Sequence, residues 1–270
     1  MIHGVDVSKW QGRIDWHKVA ERASFAFIKA SQGTASDPLF VRNWHESVGL
    51  VLRGAYHFWE PGVSAAAQAD AFVGLLREDA GELPPVLDLE QAPVTWGEVA
   101  AWMDAVEGAL GRVPVLYSSP GFLGPLGAPP KAWPLWVAHY GVSQPTLPPG
   151  WKQWTFWQYS SRGSGRDYGV ESGYIDLNWF SGGWVALTRL CLGYGVDDAA
   201  PPEPPEVQRY RVTAWSLRVR SGPGVAFSVA GRVRRGDVVE VVEVQTTDEY
   251  SPWGKIGDGK WISLRYAERV

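Results

Sequence analysis

Four carboxylates lie in short apolar, strand-like segments of this chain. They are Asp6 in HGVDVSKWQG, Asp88 and Glu90 in PPVLDLEQ, and Asp176 in GYIDLNWF. A carboxylate at a strand end can point into a shared pocket instead of bulk water. Four of them, drawn from three distant segments, form a set for acid/base work on a bond, and glycosidic bonds are the usual target of such sets. Asp88-Leu89-Glu90 is the central motif. Residues i and i+2 of a strand share a face, with backbones about 6.6 Å apart, so both carboxylates face one pocket while Leu89 packs behind. Crowded carboxylates raise one another's proton affinity, and one then stays protonated near neutral pH and can protonate a leaving oxygen. Glu90 has the longer reach and is assigned as the general acid, with Asp88 as the ionised stabiliser or orienter. A lone D-x-E is a weak signal. The ordinary roles of the other two acids are a cap or turn acceptor before KWQG for Asp6 and a bond to loop backbone for Asp176.

Eight strand candidates precede residue 195: near 3–7, 24–30, 51–59, 85–90, 113–119, 134–140, 154–160 and 173–178. Helical patterns separate the early ones. Asp15 is placed to cap WHKVAERA, and Ser64 to cap residues 64–79. Thr95 with Glu98 reads as a capping box, with Gly111 near that helix's end. Later connections are Gly/Pro-rich and read as loops. Strands alternating with helices predict a parallel sheet. Eight strands in about 190 residues, where a full eightfold barrel takes about 250, predict a barrel lacking some crossover helices. Polar residues recur at the C-terminal ends of these strands, the face that carries chemistry in parallel barrels. They include Tyr56, Tyr117, His139, Gln158 and Asn178 besides the acids, and these five are the candidate substrate-binding residues.

The 270 residues carry a formal net charge of −4, unevenly spread. Residues 207–270 hold 11 Lys/Arg and 7 Asp/Glu, so the tail is basic and the rest acidic, as for modules with separate jobs. Residues 196–208 (VDDAAPPEPPEVQ) are rich in proline and acid and read as a semi-rigid linker. The expected division is therefore a catalytic barrel over 1–195, the linker, and a small all-β domain over 209–270. There, SGPG, RRGD and GDGK mark turns between alternating segments. The 16 Trp are numerous; indole faces stack on sugars, although most Trp serve core packing. Cys191, the one cysteine, lies in an apolar run and reads as a buried, inert thiol. No Cys/His spacing points to zinc, and no metal or other cofactor is expected. No run approaches the length of a membrane span. The first residues show neither a basic n-region nor an apolar h-region, so synthesis in a (host) cytoplasm without a signal peptide is expected.

As a series, HGVDVSKWQG, GAYHFW, PVLDLE, PLWVAHYG, FWQYS and YIDLNWF resemble the motifs of glycoside hydrolase family 25, the Chalaropsis-type N-acetylmuramidases, over roughly residues 1–190. The resemblance implies an α/β fold, an irregular (β/α) barrel. It implies cleavage of the β-1,4 bond from N-acetylmuramic acid to N-acetylglucosamine. It places Glu90 as proton donor and Asp88 as the partner that orients or stabilises the substrate's N-acetyl group, with Asp6 and Asp176 as further active-site acids. Tyr56 and Gln158 fall in cleft-lining motifs, and the role of His139 is left open. Residues 210–270 resemble a bacterial SH3 domain, through SLRVRSGPG, GRVRRGD and GKWISLRYAERV. Such domains tether wall hydrolases, and a positive balance favours an anionic wall; a structural cap or dimerisation role is the alternative. Lysozyme plus wall-binding tail is similar to a bacteriophage endolysin. The implied partner is bacterial peptidoglycan, not nucleic acid or membrane, and a monomer is expected. Two other functions stay open at this point: a non-catalytic glycan-binding protein, which would have no need of four buried acids, and a chitinase-like glycosidase, whose longer D-x-x-D-x-D-x-E signature VLDLE lacks.

Overall fold

Nine strands organise the N-terminal part: β1 (Ile2–Val7), β2 (Phe25–Gln32), β3 (Ala35–Ser36), β4 (Leu52–Phe58), β5 (Val86–Asp88), β6 (Val115–Ser118), β7 (Leu135–Ala138), β8 (Phe156–Ser164) and β9 (Tyr174–Phe180). They come from a computed structural model that describes residues 1–193, 208–245, 252–257 and 259–270. The hydrogen-bonded order is β1-β9-β8-β7-β6-β5-β4-β2-β3, and β1 also pairs with β2. That last pairing closes eight strands into a barrel, with β3 a short antiparallel addition to β2. All eight expected strands are present.

The expectation of a parallel sheet needs correction. The pairs from β1–β2 round to β7–β8 are parallel, but β9 runs antiparallel to both β8 and β1. Parallel neighbours need a crossover of a dozen or more residues. Only nine residues separate β8 from β9, and they hold a single helical turn. The barrel is therefore mixed. Asp176 lies near the start of its strand, not the end, yet it arrives at the same rim as the C-terminal ends of the other strands.

The helices are α1 (Trp16–Ala20), α2 (Phe40–Glu46), α3 (Ala65–Leu76), α4 (Trp96–Leu110), α5 (Pro120–Leu123), α6 (Gly165–Tyr168) and α7 (Trp184–Cys191). The caps fall where the residues placed them. Asp15 and Ser64 accept from the backbone N–H of Lys18 and Ala67. Thr95 and Glu98 form the reciprocal box, and Gly111 ends α4 in the left-handed region at φ 67°. The sequence reading missed α2, α5, α6 and α7. Cys191 ends α7 half-buried and free, and burial pushes its thiol up to about 11.

Period-2 alternation sorts the barrel strands into two faces. Val5, Ala26, Ile28, Ala55, Leu87, Leu116 and Val137 point outward under the helices. Phe25, Phe27, Val86, Val115, Trp136, Phe156 and Phe180 point inward. The inward rings touch: Phe27 stacks on Trp136 at 4.5 Å between centroids, and Phe156 meets Phe27 edge-on at 5.0 Å. Gly54 makes room for them, since a Cβ there would lie 2.5 Å from the Phe27 ring. The barrel is thus plugged below its rim, and polar groups on its inner face are confined to the top layer.

The chain divides into two compact units, Met1–Asp197 and Asp198–Val270. The expected linker, apart from Gln208, lies outside the described residues. The second unit holds β10 (Gln208–Val212), β11 (Ser216–Arg220), β12 (Val229–Arg234), β13 (Val238–Val241), β14 (Glu243–Gln245), β15 (Trp253–Gly257), β16 (Lys260–Ser263) and β17 (Ala267–Arg269). They form two antiparallel sheets, β13-β10-β17 and β12-β11-β16-β15-β14. The core between them is Val212, Leu217, Val219, Val241, Ile262 and Leu264. Among the described residues, no helix is long and apolar enough to cross a membrane.

Candidate active site

The top layer of the barrel interior opens into a cavity of about 370 Å³. All four predicted acids, Asp6, Asp88, Glu90 and Asp176, line it, as do Tyr56, Tyr117 and Gln158. Asp6 and Asp176 are cross-strand partners in register. Asp6 is anchored from below: its Oδ2 accepts from Gln158 Nε2 at 2.8 Å and from Asn178 Nδ2 at 2.7 Å. Each amide is fixed in turn. Gln158 Oε1 accepts from the hydroxyls of Tyr117, at 2.8 Å, and Tyr140. Asn178 Oδ1 accepts from Trp136 Nε1 at 2.8 Å. These donors set the orientation of the Asp6 carboxyl, and Asn178 reaches the cavity only through it. The turn role considered for Asp6 belongs to Ser8, which caps the helical turn Lys9–Gln11 reciprocally with Gln11.

Asp88 and Glu90 differ in depth. Asp88 is 7% exposed, and its Oδ1 is buried without a hydrogen-bond partner among the described residues. Glu90 lies two residues beyond the end of β5 and stands exposed at the mouth. All four carboxyls are held above their ordinary range. For Asp88 the causes are burial, then Glu90, then Asp6, with Lys29 opposing. For Asp6 they are burial, Asp176 and Glu90, with the Asn178 and Gln158 amides opposing. Burial raises Glu90, again against Lys29. Burial and Glu90 push Asp176 up to about 6. Asp88 is the more deeply buried member of the pair, and Glu90 the more accessible one.

Comparison with known proteins bears on this cleft directly. The profile of "Glycosyl hydrolases family 25" matches residues 5–168, and that of "Bacterial SH3 domain" matches residues 215–268. The chain belongs to glycosyl hydrolase family 25. Lysozyme M1 of Streptomyces globisporus is 37% identical over 211 residues, 70% of this chain and 71% of that protein. The N,O-diacetylmuramidase of a Chalaropsis species is 31% identical over 201 residues, 65% of this chain and 94% of that protein. The crystal structure of the bacterial lysozyme from Streptomyces coelicolor superposes with a TM-score of 0.62 at 35% identity, covering 70% of this chain and 96% of that one. Family 25 membership makes the chain a glycoside hydrolase, and the cavity rimmed by four acids is the site that fits such chemistry.

Two of the five predicted substrate-binding residues do not line the cleft: Asn178, which lies beneath Asp6, and His139. The His139 ring turns away from it, and its Nδ1 accepts from the Thr146 N–H at 3.1 Å. Alternation explains this: Ala138 belongs to the inward set, so His139 points out and Tyr140 points in. Parity also separates Tyr56 from His57. His57 lies outside the barrel, bonded to Ser31 at 2.8 Å and Gln68 at 3.0 Å, and burial pulls it down to about 4. The sequence reading missed Lys29, Phe58, Trp10 and Tyr140 as lining residues. Lys29 follows Phe25 and Phe27 on the inward parity of β2, which was the available signal. Its ammonium lies over the Phe58 ring at 4.3 Å and donates to Gln32 Oε1 at 3.0 Å. Trp10 is 74% exposed at the mouth, presenting an indole to solvent.

Proposed function

We propose that this protein cleaves the β-1,4 bond between N-acetylmuramic acid and N-acetylglucosamine in bacterial peptidoglycan. The observation that carries this reading is the convergence of Asp6, Asp88, Glu90 and Asp176 in one cleft, on a chain of family 25. Glu90 is the general acid: it stands at the mouth, and its raised proton affinity keeps a proton available for the leaving oxygen. Asp88 sits deeper, with an unpartnered oxygen, and faces the substrate's acetamido group. Charge developing on that group, together with Lys29, favours the carboxylate form of Asp88, which then stabilises it. Asp6, held by Gln158 and Asn178, and Asp176 complete the negative surround of the reacting sugar. Tyr56, Tyr117 and Trp10 supply walls for sugar rings.

In this reading the second unit holds the enzyme on the wall, and the two units divide the work along the 1–195 and 209–270 boundaries. A muramidase joined to a wall-binding module fits a lytic, endolysin-like role against bacterial cells. Nothing in the cleft favours a non-catalytic reading. Four crowded carboxyls cost stability, and glycan binding alone has no use for them. The test is mass spectrometry of digested peptidoglycan. Soluble fragments with reducing-end muramic acid are expected; fragments ending in glucosamine, or none, refute the assignment.

A further inference from the structure

The second unit carries a pocket that its SH3 likeness does not explain. Alternation along β11 sends Leu217 and Val219 into the core and Ser216, Arg218 and Arg220 to the opposite face of the five-stranded sheet. A pocket of about 510 Å³ lies on these residues, with Arg232 from β12 and Trp253 and Ser263 from β15 and β16. Among the described residues its lining has three guanidinium groups and no carboxylate. Arg218 stands directly opposite Arg232 across the β11–β12 ladder. Like charges so placed repel, and such pairs are destabilising. Neither is relieved by an acid among the described residues. Arg232 donates to Ser216 Oγ at 3.2 Å and Arg220 to the Phe227 carbonyl at 2.7 Å. Arg218 has no hydrogen bond or ion pair among the described residues.

A second, independent observation lies at the pocket's base. Trp253 and Ser263 face each other in register. The Trp253 Nε1–H and the Ser263 hydroxyl are both buried with no partner among the described residues. Trp253 is 2% exposed, yet it lies outside the apolar core cluster. Leaving such donors unmet costs free energy. An acceptor with several lone pairs that enters between them and the guanidinium rim would satisfy both sets, and a carboxylate has about four such sites and pairs with arginine in the bidentate manner.

We propose that this pocket binds the carboxylate end of a short peptide. The proposal rests on the reading that the protein acts on peptidoglycan, whose peptide stems carry such ends on the same polymer as the glycan. A pocket of this volume suits a small ligand. The rest of its lining includes Ala214, Val225 and the Tyr266 ring beside the indole, which suits small alkyl side chains next to the charged terminus. The pocket thereby directs the second unit to peptide, while the first unit works on sugar.

The test uses the full-length protein and two probes, the tripeptide Ala-Ala-Ala with a free carboxylate and the same peptide as its C-terminal amide. Nitrogen-15 NMR follows the indole N–H of Trp253, assigned with Trp253→Phe. The free acid is expected to shift that signal and the amide to bind at least about tenfold more weakly. Arg218→Gln and Arg232→Gln should each weaken the acid by about tenfold, with cleavage of soluble glycan unchanged. Equal binding of acid and amide overturns the proposal, as does an unaltered affinity in both variants. Inorganic phosphate matching the acid at the same signal shows a bare anion site and overturns the peptide assignment. Glycan cleavage in the same preparations separates the two readings. Peptide binding without cleavage removes the muramidase function and leaves the pocket, and cleavage without peptide binding does the reverse.

Discussion

Replacing Asp176 with Asn should stabilise this protein at neutral pH while removing activity. In the folded chain the Asp176 carboxyl is raised to about 6, against an ordinary 3.8, by burial and by Glu90. A raised value means that the folded state holds the proton more tightly than the unfolded chain does. Stability from this group is therefore complete below about pH 4, falls as pH rises through about 6, and stays lost above it. Two pKa units correspond to about 3 kcal/mol, and solvent at the open mouth lowers the expected figure to about 1–3 kcal/mol. Asp176 accepts no hydrogen bond among the described residues, so Asn removes charge and breaks no contact. It also removes one of the charges that raise Asp6, which acts in the same direction. For a unit of this size, about 1–3 kcal/mol is a rise of roughly 2–12 °C in Tm. Calorimetry of wild type and Asp176→Asn at about pH 7.5 and about pH 4 is the assay. The Tm gain should appear at the higher pH and vanish at the lower. An equal gain at both values, or a loss at about pH 7.5, would refute the account of the acidic cluster as a strained, charge-repelling set.

Glu90→Gln should fold normally, as judged by circular dichroism, and lose about 10²–10⁴ in cleavage rate, because the shape is kept and the transferable proton is not; wild-type clearing of cell walls by the folded variant rules Glu90 out as the acid. Removing residues 207–270 should leave cleavage of soluble oligosaccharide intact and weaken sedimentation with whole walls, since tethering acts through effective concentration; equal losses on both substrates would show that the tail completes the cleft. Gly54→Ala should cost about 1–3 kcal/mol in urea denaturation, because the added methyl meets the Phe27 ring at 2.5 Å inside a filled barrel; an unchanged midpoint would mean that the interior is loosely packed.

Much of this architecture was legible because apolar runs and caps are local signals. Asp15, Ser64, Thr95 with Glu98 and Gly111 each act within a few residues of themselves, so spacing was sufficient. Asp6, Asp88 and Glu90 were legible because each follows a buried segment, and Asp176 because it sits in an apolar strand. Strand direction was harder. Alternation along Tyr174–Phe180 reads the same in either direction, and only the short connection before it reveals that β9 turns back. Parity decided the rest. His139 and Tyr140 are neighbours at one strand end, and choosing between them requires knowing which residue of β7 faces in. Lys29 carries the same lesson, since its inward parity after Phe25 and Phe27 could be read only once the inward face of β2 was known, and its opposition to Asp88 and Glu90 depends on a distant segment. The donors to Asp6 come from residues 158 and 178, and no local pattern ties them to residue 6.

The seam between β1 and β9 has a consequence for the order of events during synthesis. The second residue of the chain is registered against Phe180, and Asp6 against Asp176. A ribosome must therefore release nearly the whole first unit before its barrel can shut. Until β9 emerges, β1 has an open edge and Asp6 lacks the Asn178 amide that holds it. A nascent chain halted anywhere short of that strand has most of its secondary structure encoded but no finished cleft. Activity then arrives late and all at once, so incomplete chains of a wall-cutting enzyme carry no cutting site.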